Sequence, residues 1–178
     1  MIATAVVLLA GAAATAGTGT PYVALVAPAL AAAGIAYAYG PGIDPAWELS
    51  RSMAVSDRMV LLVRALAVFG LNAALGLVAS AASVAATGAA AAVTFGWLVP
   101  MTAVCALALA AATVTRSANT GVVAGLSGWV ITVLGGRVAA GKLTVVVTDS
   151  ALVLPYLAFA ACCCAIAWYA TRIPRGTS

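Results

Sequence analysis

Long runs of Ala, Val, Leu and Gly, almost free of charge, set the terms for any fold this chain can adopt. Roughly 20 consecutive apolar residues suffice for an α-helix to cross a bilayer. Runs near that length occupy residues 2–17, 21–39, 59–80, 89–114, 118–136 and 151–171. Hydrophobic residues make up 65% of the chain and charged residues only 7%, against about 25% charged in a soluble domain. The runs are unbroken, whereas the strands of a membrane barrel alternate apolar and polar residues. The pattern predicts one all-α membrane domain over 1–178, a bundle of about six transmembrane helices with no folded soluble part.

What is missing narrows the chemistry. There is no His, which removes the commonest transition-metal ligand, the usual proton shuttle and any Ser-His-Asp arrangement. Cys162, Cys163 and Cys164 are consecutive and Cys105 stands alone in another apolar run. Successive residues on a helix point about 100° apart, so the triplet does not gather on one metal and reads as small, polarizable packing. No carboxylate falls in the middle of a span, as proton-coupled pumps require. Gly135-Gly136-Arg137 and Gly141-Lys142-Leu143 lack the spacing of a phosphate-binding loop. No catalytic residue, cofactor or metal site is expected. The net charge of +4 is spread over the connections, a topology signal and not a nucleic-acid surface.

Charge collects in one place. Residues 40–64 hold three of the four acidic residues (Asp44, Glu48, Asp57) and three of the eight basic ones (Arg51, Arg58, Arg64). Asp44-Pro45 is a helix start, an N-cap followed by Pro at the first position. It predicts a short surface helix ending near Arg51, with Trp47 at the interface. A break near 53–55 follows, then a second N-cap at Ser56 with Asp57 suiting the positive end of the helix dipole. Glu48 and Asp44 read as solvated capping groups in preference to an acid–base pair, since both lie at the water surface.

The remaining spans carry their own marks. Residues 2–17 read as a first membrane helix in preference to a signal peptide: no basic residue precedes them and the next run follows after about four residues. Pro28 should kink the second span, and Tyr37 and Tyr39 suit an interface anchor. Arg64 can snorkel to its own face of the third span. Asn72 is the strong amide within that span, and an interhelical hydrogen bond is its expected role, with a pathway lining as the alternative. Pro100 should kink the fourth span, with Trp97 near its outer end. Gly121-x-x-x-Gly125 puts two glycines on one face of the fifth, where a neighbouring helix can approach. Residues 143–147 could dip into the interface. Trp168-Tyr169 closes the sixth span.

Six spans place both termini on one side. Arg51, Arg58, Arg64, Arg116, Arg172 and Arg175 lie on that side, against Arg137 and Lys142 on the other. The positive-inside rule assigns the richer side, with both termini and segment 40–58, to the cytoplasm of a cell membrane.

Asp44-Pro45-Ala46-Trp47-Glu48-Leu49, followed by Ser52-Met53-Ala54-Val55-Ser56-Asp57-Arg58 and an apolar helix, resembles the cytoplasmic segment of ABC-2 type transporter permeases. Trp97-Leu98-Val99-Pro100-Met101 is similar to a W-L-x-P-M segment of small bacterial members. Ala54 departs from the Pro often found in that family's turn. The resemblance implies the membrane half of an exporter, paired as a homodimer or heterodimer and driven by a separate cytoplasmic ATPase subunit. Docking would fall to Asp44, Trp47, Glu48, Arg51, Ser56, Asp57 and Arg58. A non-transporting membrane scaffold with another cytoplasmic partner is the alternative.

Overall fold

A computed structural model of the chain describes residues 10, 22–37, 57–87, 96–141, 147 and 149–172. These form helices and tight turns, with no strand among them. Five α-helices follow in order: α1 (Tyr22–Tyr37), α2 (Asp57–Thr87), α3 (Leu98–Thr115), α4 (Ala118–Ala140) and α5 (Val153–Arg172), the last entered through a 3₁₀ turn at Ser150–Leu152. The stretches Leu62–Ala82, Leu98–Thr115, Ala118–Ala139 and Ser150–Arg172 are long and apolar enough to cross a membrane. Ala24–Tyr37 is apolar but shorter. Four such helices point to insertion in a membrane. Apart from residue 10, the run expected over 2–17 lies outside the described residues. So does the surface helix expected within 40–58, apart from Asp57 and Arg58, which open α2.

Helix α3 forms the middle of the bundle. It packs against α5, α4 and α1, while α1 also packs against α4 and α2. Half of its buried side chains are Ala, with Met101, Val104 and Cys105 among the others, and 56% of the stretch is buried, against 11% in each of those on α4 and α5. Lipid tails are as apolar as Leu, so helices in a bilayer associate through close packing of small residues and interhelical hydrogen bonds. An Ala-rich helix lets three neighbours approach at once. The outer faces of α4 and α5 expose Val123, Val130, Ile131, Val138, Leu154 and Leu157, the side chains a lipid-facing surface carries.

Several boundaries differ from the sequence expectation, for local reasons. Helix α2 continues to Thr87 because the small-residue link after residue 80 is rich in Ala, the best helix former, and contains no breaker before Gly88. Of the fourth span, expected from 89, residues 89–95 lie outside the described residues; the helix described begins at Leu98, so Pro100 falls in its first turn. There its missing N–H has no helical partner to lose, and no kink results. Helix α4 takes in Gly135, Gly136 and Arg137 and stops at Gly141, whose φ of 70° is open to glycine without strain. The Gly141 N–H donates to the Arg137 carbonyl at 2.9 Å and closes the last turn. Within 143–147, the described residue Val147 is buried in the main apolar cluster.

Contacts fix the direction of each helix. Only Arg116 and Ser117 join α3 to α4. Arg116 takes a left-handed conformation, with φ 56°, and the Ser117 hydroxyl caps α4 by accepting the Thr120 N–H at 3.5 Å. So short a turn forces the two helices antiparallel. Gly121 lies against Ala36 and Gly125 against Ala32, and the Trp129 indole reaches the Leu25 carbonyl, so α1 is antiparallel to α4. Ser80, late in α2, bonds Trp97 at the start of α3, while Leu62 shares a groove with Leu109. Helix α2 is therefore antiparallel to α3. Cys163 and Ala167 cluster with Ala106 and Ala110, which sets α5 parallel to α3. The end of α1, the start of α2, the α3–α4 turn and the end of α5 thus gather at one end of the bundle.

Candidate functional site

The end so defined is where the charged segment must attach. Tyr37 closes α1 there, half exposed, and α2 begins at Asp57-Arg58, so segment 38–56 joins two helices that both open on this end. Asp44, Trp47, Glu48, Arg51 and Ser56 lie outside the described residues. Arg64 sits under two turns into α2, Arg116 occupies the α3–α4 turn and Arg172 closes α5. At the opposite end lie Arg137 and Asp149, the latter accepting the Ala151 N–H at 2.9 Å to cap the 3₁₀ turn. The Arg172 guanidinium carbon stands 4.7 Å from the centre of the Trp168 ring, which is itself exposed. A spacing of four residues puts the two on one face, so the sequence held this cation–π pair, unread.

Among the described residues the interior is close-packed. Asn72, Gly76 and Ser80 recur every four residues along the buried stripe of α2, with Ala65 and Ala79 in the same stripe. Asn72 is buried against Gly34 of α1: a Cβ there would stand 3.3 Å from its amide nitrogen. That nitrogen donates to the Val68 carbonyl at 2.8 Å, one turn back in its own helix. Gly34 across the interface offers no side-chain acceptor, so among the described residues this amide N–H is satisfied within its own helix. Every buried side-chain polar atom among the described residues has a hydrogen-bond partner.

The glycines of the GxxxG motif lie in the seam of three helices. A Cβ on Gly121 would meet the Ala108 carbonyl oxygen at 2.7 Å, the Ala112 methyl at 2.8 Å and the Ala36 methyl at 3.0 Å. On Gly125 it would meet the methyls of Ala108 and Ala32, each at 3.0 Å. The motif faces α3 and α1 together. Pro100 is fully buried one helix away.

Two interhelical ties escaped the sequence reading. Trp97, expected near the outer end of its span, caps the start of α3 and is fully buried: its ring covers Gly76 and leaves no room for a Cβ there. Its indole N–H donates to the Ser80 hydroxyl at 3.1 Å. The signal was the small-x-x-x-small spacing of Gly76 and Ser80. Trp129 donates to the Leu25 carbonyl at 2.7 Å. Pro28 gives no N–H to the Ala24 carbonyl one turn before it, which loosens the ladder beside Leu25 and opens the backbone to a partner.

Two shallow grooves flank α5. One, of about 160 Å³, lies at the charged end between α2, α3 and α5, lined by Leu62, Leu109, Cys164, Ala167, Trp168 and Thr171. The other, of about 230 Å³, opens on the α4 side over Ala103, Val104 and Leu107, with Gly128, Thr132, Tyr156 and Phe159 as walls. Cys105 and Cys163 are buried while Cys162 and Cys164 face outward, and all four are free thiols. Among the described residues no three ligating side chains cluster to hold a metal.

No protein-family model, curated protein or solved structure matches this chain.

Proposed function

We propose that this chain is the membrane subunit of an ABC-2-type exporter, multi-pass in a cell membrane with both termini cytoplasmic. In this reading it has no catalytic residue of its own, works as a homodimer or heterodimer, and is driven by a separate ATPase subunit docking on residues 44–58. The short motifs at 44–58 and 97–101 support it. The observation that carries it is the grouping of the α1 end, the α2 start, Arg116 and Arg172 at one end of the bundle. Clustered Arg on the connections marks a cytoplasmic face, so the charged segment stands where an ATPase could reach it. Both of its flanking helices are coupled inward, α1 through the Gly121 and Gly125 seam and α2 through Trp97 on Gly76. A push on the segment becomes a shear of packed helices.

The experiment is co-purification from native membranes with a nucleotide-binding subunit, together with ATP-dependent efflux. Glu48→Arg and Arg58→Glu abolish both in this reading. Retention of efflux in both variants would refute docking at this segment. The tight interior favours a second reading, a non-transporting scaffold: the described buried polar side chains, Asn72, Ser80 and Thr113, line no polar passage. That reading predicts partner capture without ATP-dependent efflux.

A further inference from the structure

We infer that the groove between α2, α3 and α5 at the charged end binds one anionic glycerophospholipid, its acyl chain along the groove and its phosphate at Arg172. The floor and walls are apolar, from Leu62, Leu109, Ala167 and Trp168. Its volume of about 160 Å³ is several times the roughly 30 Å³ share of one water molecule. Leu62 and Trp168 are each about half exposed, at 49% and 47%, so the groove opens sideways onto the bilayer and not into the bundle. The mouth is basic. The Arg172 guanidinium carbon stands 4.7 Å from the centre of the Trp168 ring, which anchors the cation beside one wall of the groove. A guanidinium edge matches a phosphate bidentately. Among the described residues this end carries Arg64, Arg116 and Arg172, with Asp57-Arg58 at the head of α2, while Asp149 caps a turn at the other end of the bundle. Apolar groove, stacked Arg and a positive end together fit a lipid that is both chain and anion, and basic clefts between helices on the cytoplasmic side recognise such headgroups. Neither groove has a charged residue in its lining; what separates them is Arg172, held over the Trp168 wall of the first.

The full chain is reconstituted in nanodiscs of equal phosphatidylglycerol and phosphatidylcholine. Lipids retained on the protein are then counted by native mass spectrometry. The wild type retains phosphatidylglycerol with about fivefold enrichment, the equivalent of about 1 kcal/mol for one surface cation. Arg172→Gln returns the ratio to that of the bulk lipid, and Arg172→Lys keeps most of it. Trp168→Leu, which keeps the charge and removes the stacking platform, lowers it part-way. Circular dichroism of the same samples reports the fold. Equal retention of the two lipids by wild type overturns the assignment. So does enrichment that survives Arg172→Gln, or enrichment erased by millimolar glycerol 3-phosphate, which would assign the site to a free phosphate.

Discussion

Replacing Gly121 by Ala adds one methyl to the close crossing of α4 with α3 and α1. That methyl would lie 2.7 Å from the Ala108 carbonyl oxygen, 2.8 Å from the Ala112 methyl and 3.0 Å from the Ala36 methyl. Ordinary carbon contacts are about 3.5–4.0 Å. None of the three atoms is the end of a flexible side chain, so relief requires α4 to separate from α3 and α1 by about half an ångström or more. Overpacking of this kind costs about 1–3 kcal/mol, and the separation weakens Trp129 on the Leu25 carbonyl as well. Against it stands the better helix propensity of Ala, worth up to about 1 kcal/mol. Gly135→Ala removes that ambiguity. It lies in the same helix with nothing within 4 Å of the added methyl, so it carries the propensity gain without the clash. The two variants should therefore differ by about 1–3 kcal/mol, Gly135→Ala at or above wild type and Gly121→Ala below it. The assay is unfolding of the purified chain in mixed micelles by increasing mole fraction of sodium dodecyl sulfate, followed by far-ultraviolet circular dichroism. Coincident transitions for the two variants would refute the three-helix seam.

Other outcomes follow from the two indole ties and the thiols. Ser80→Ala leaves the buried Trp97 N–H without its acceptor, and a double-mutant cycle with Trp97→Phe should return a coupling of about 0.5–2 kcal/mol in the same titration; zero coupling would remove the bond from the account. Trp129→Phe should cost about 0.6–2 kcal/mol, and less when combined with Pro28→Ala, which restores the N–H for Ala24 and closes the ladder at Leu25. Strict additivity of those two changes would show that the proline does not create the acceptor. A lipid-soluble maleimide should label Cys162 and Cys164 at least about tenfold faster than Cys105 and Cys163 in single-cysteine variants, because burial limits thiol access; equal rates would contradict the orientation of α5.

Much of the fold could be read from the run lengths, because a backbone in hydrocarbon must satisfy its own hydrogen bonds and helices do so locally. The turn at Arg116-Ser117 falls in the gap between the runs 89–114 and 118–136, and Gly121-x-x-x-Gly125 was legible as a contact face. The boundaries at Leu98 and Ala140 were not. An apolar run gives no sign of where helix begins, and Gly135-Gly136, which reads as a break, is accommodated inside α4. Among the candidate residues, Asn72, Pro100, Gly121 and Gly125 lie in the bundle as parts of its packing. Asp57 and Arg58 open α2, and Asp44, Trp47, Glu48, Arg51 and Ser56 fall outside the described residues. The indole bonds of Trp97 and Trp129 were not legible for one reason: in sequence an indole looks the same whether it faces lipid or an acceptor on another helix.

The sequence by itself determined that this chain is helical and built for a membrane, and that its charge is concentrated between two apolar runs. Those properties depend only on composition and spacing along one segment. Which helix lies in the centre, which face of α4 closes on it and where the indole donors end were decided by tertiary structure. In a chain so rich in Ala and Gly, nearly every helix face could serve as a contact. Only the joint fit of Ala108, Ala112, Ala32 and Ala36 around Gly121 and Gly125 selects one arrangement, and that fit exists between segments, not within any of them.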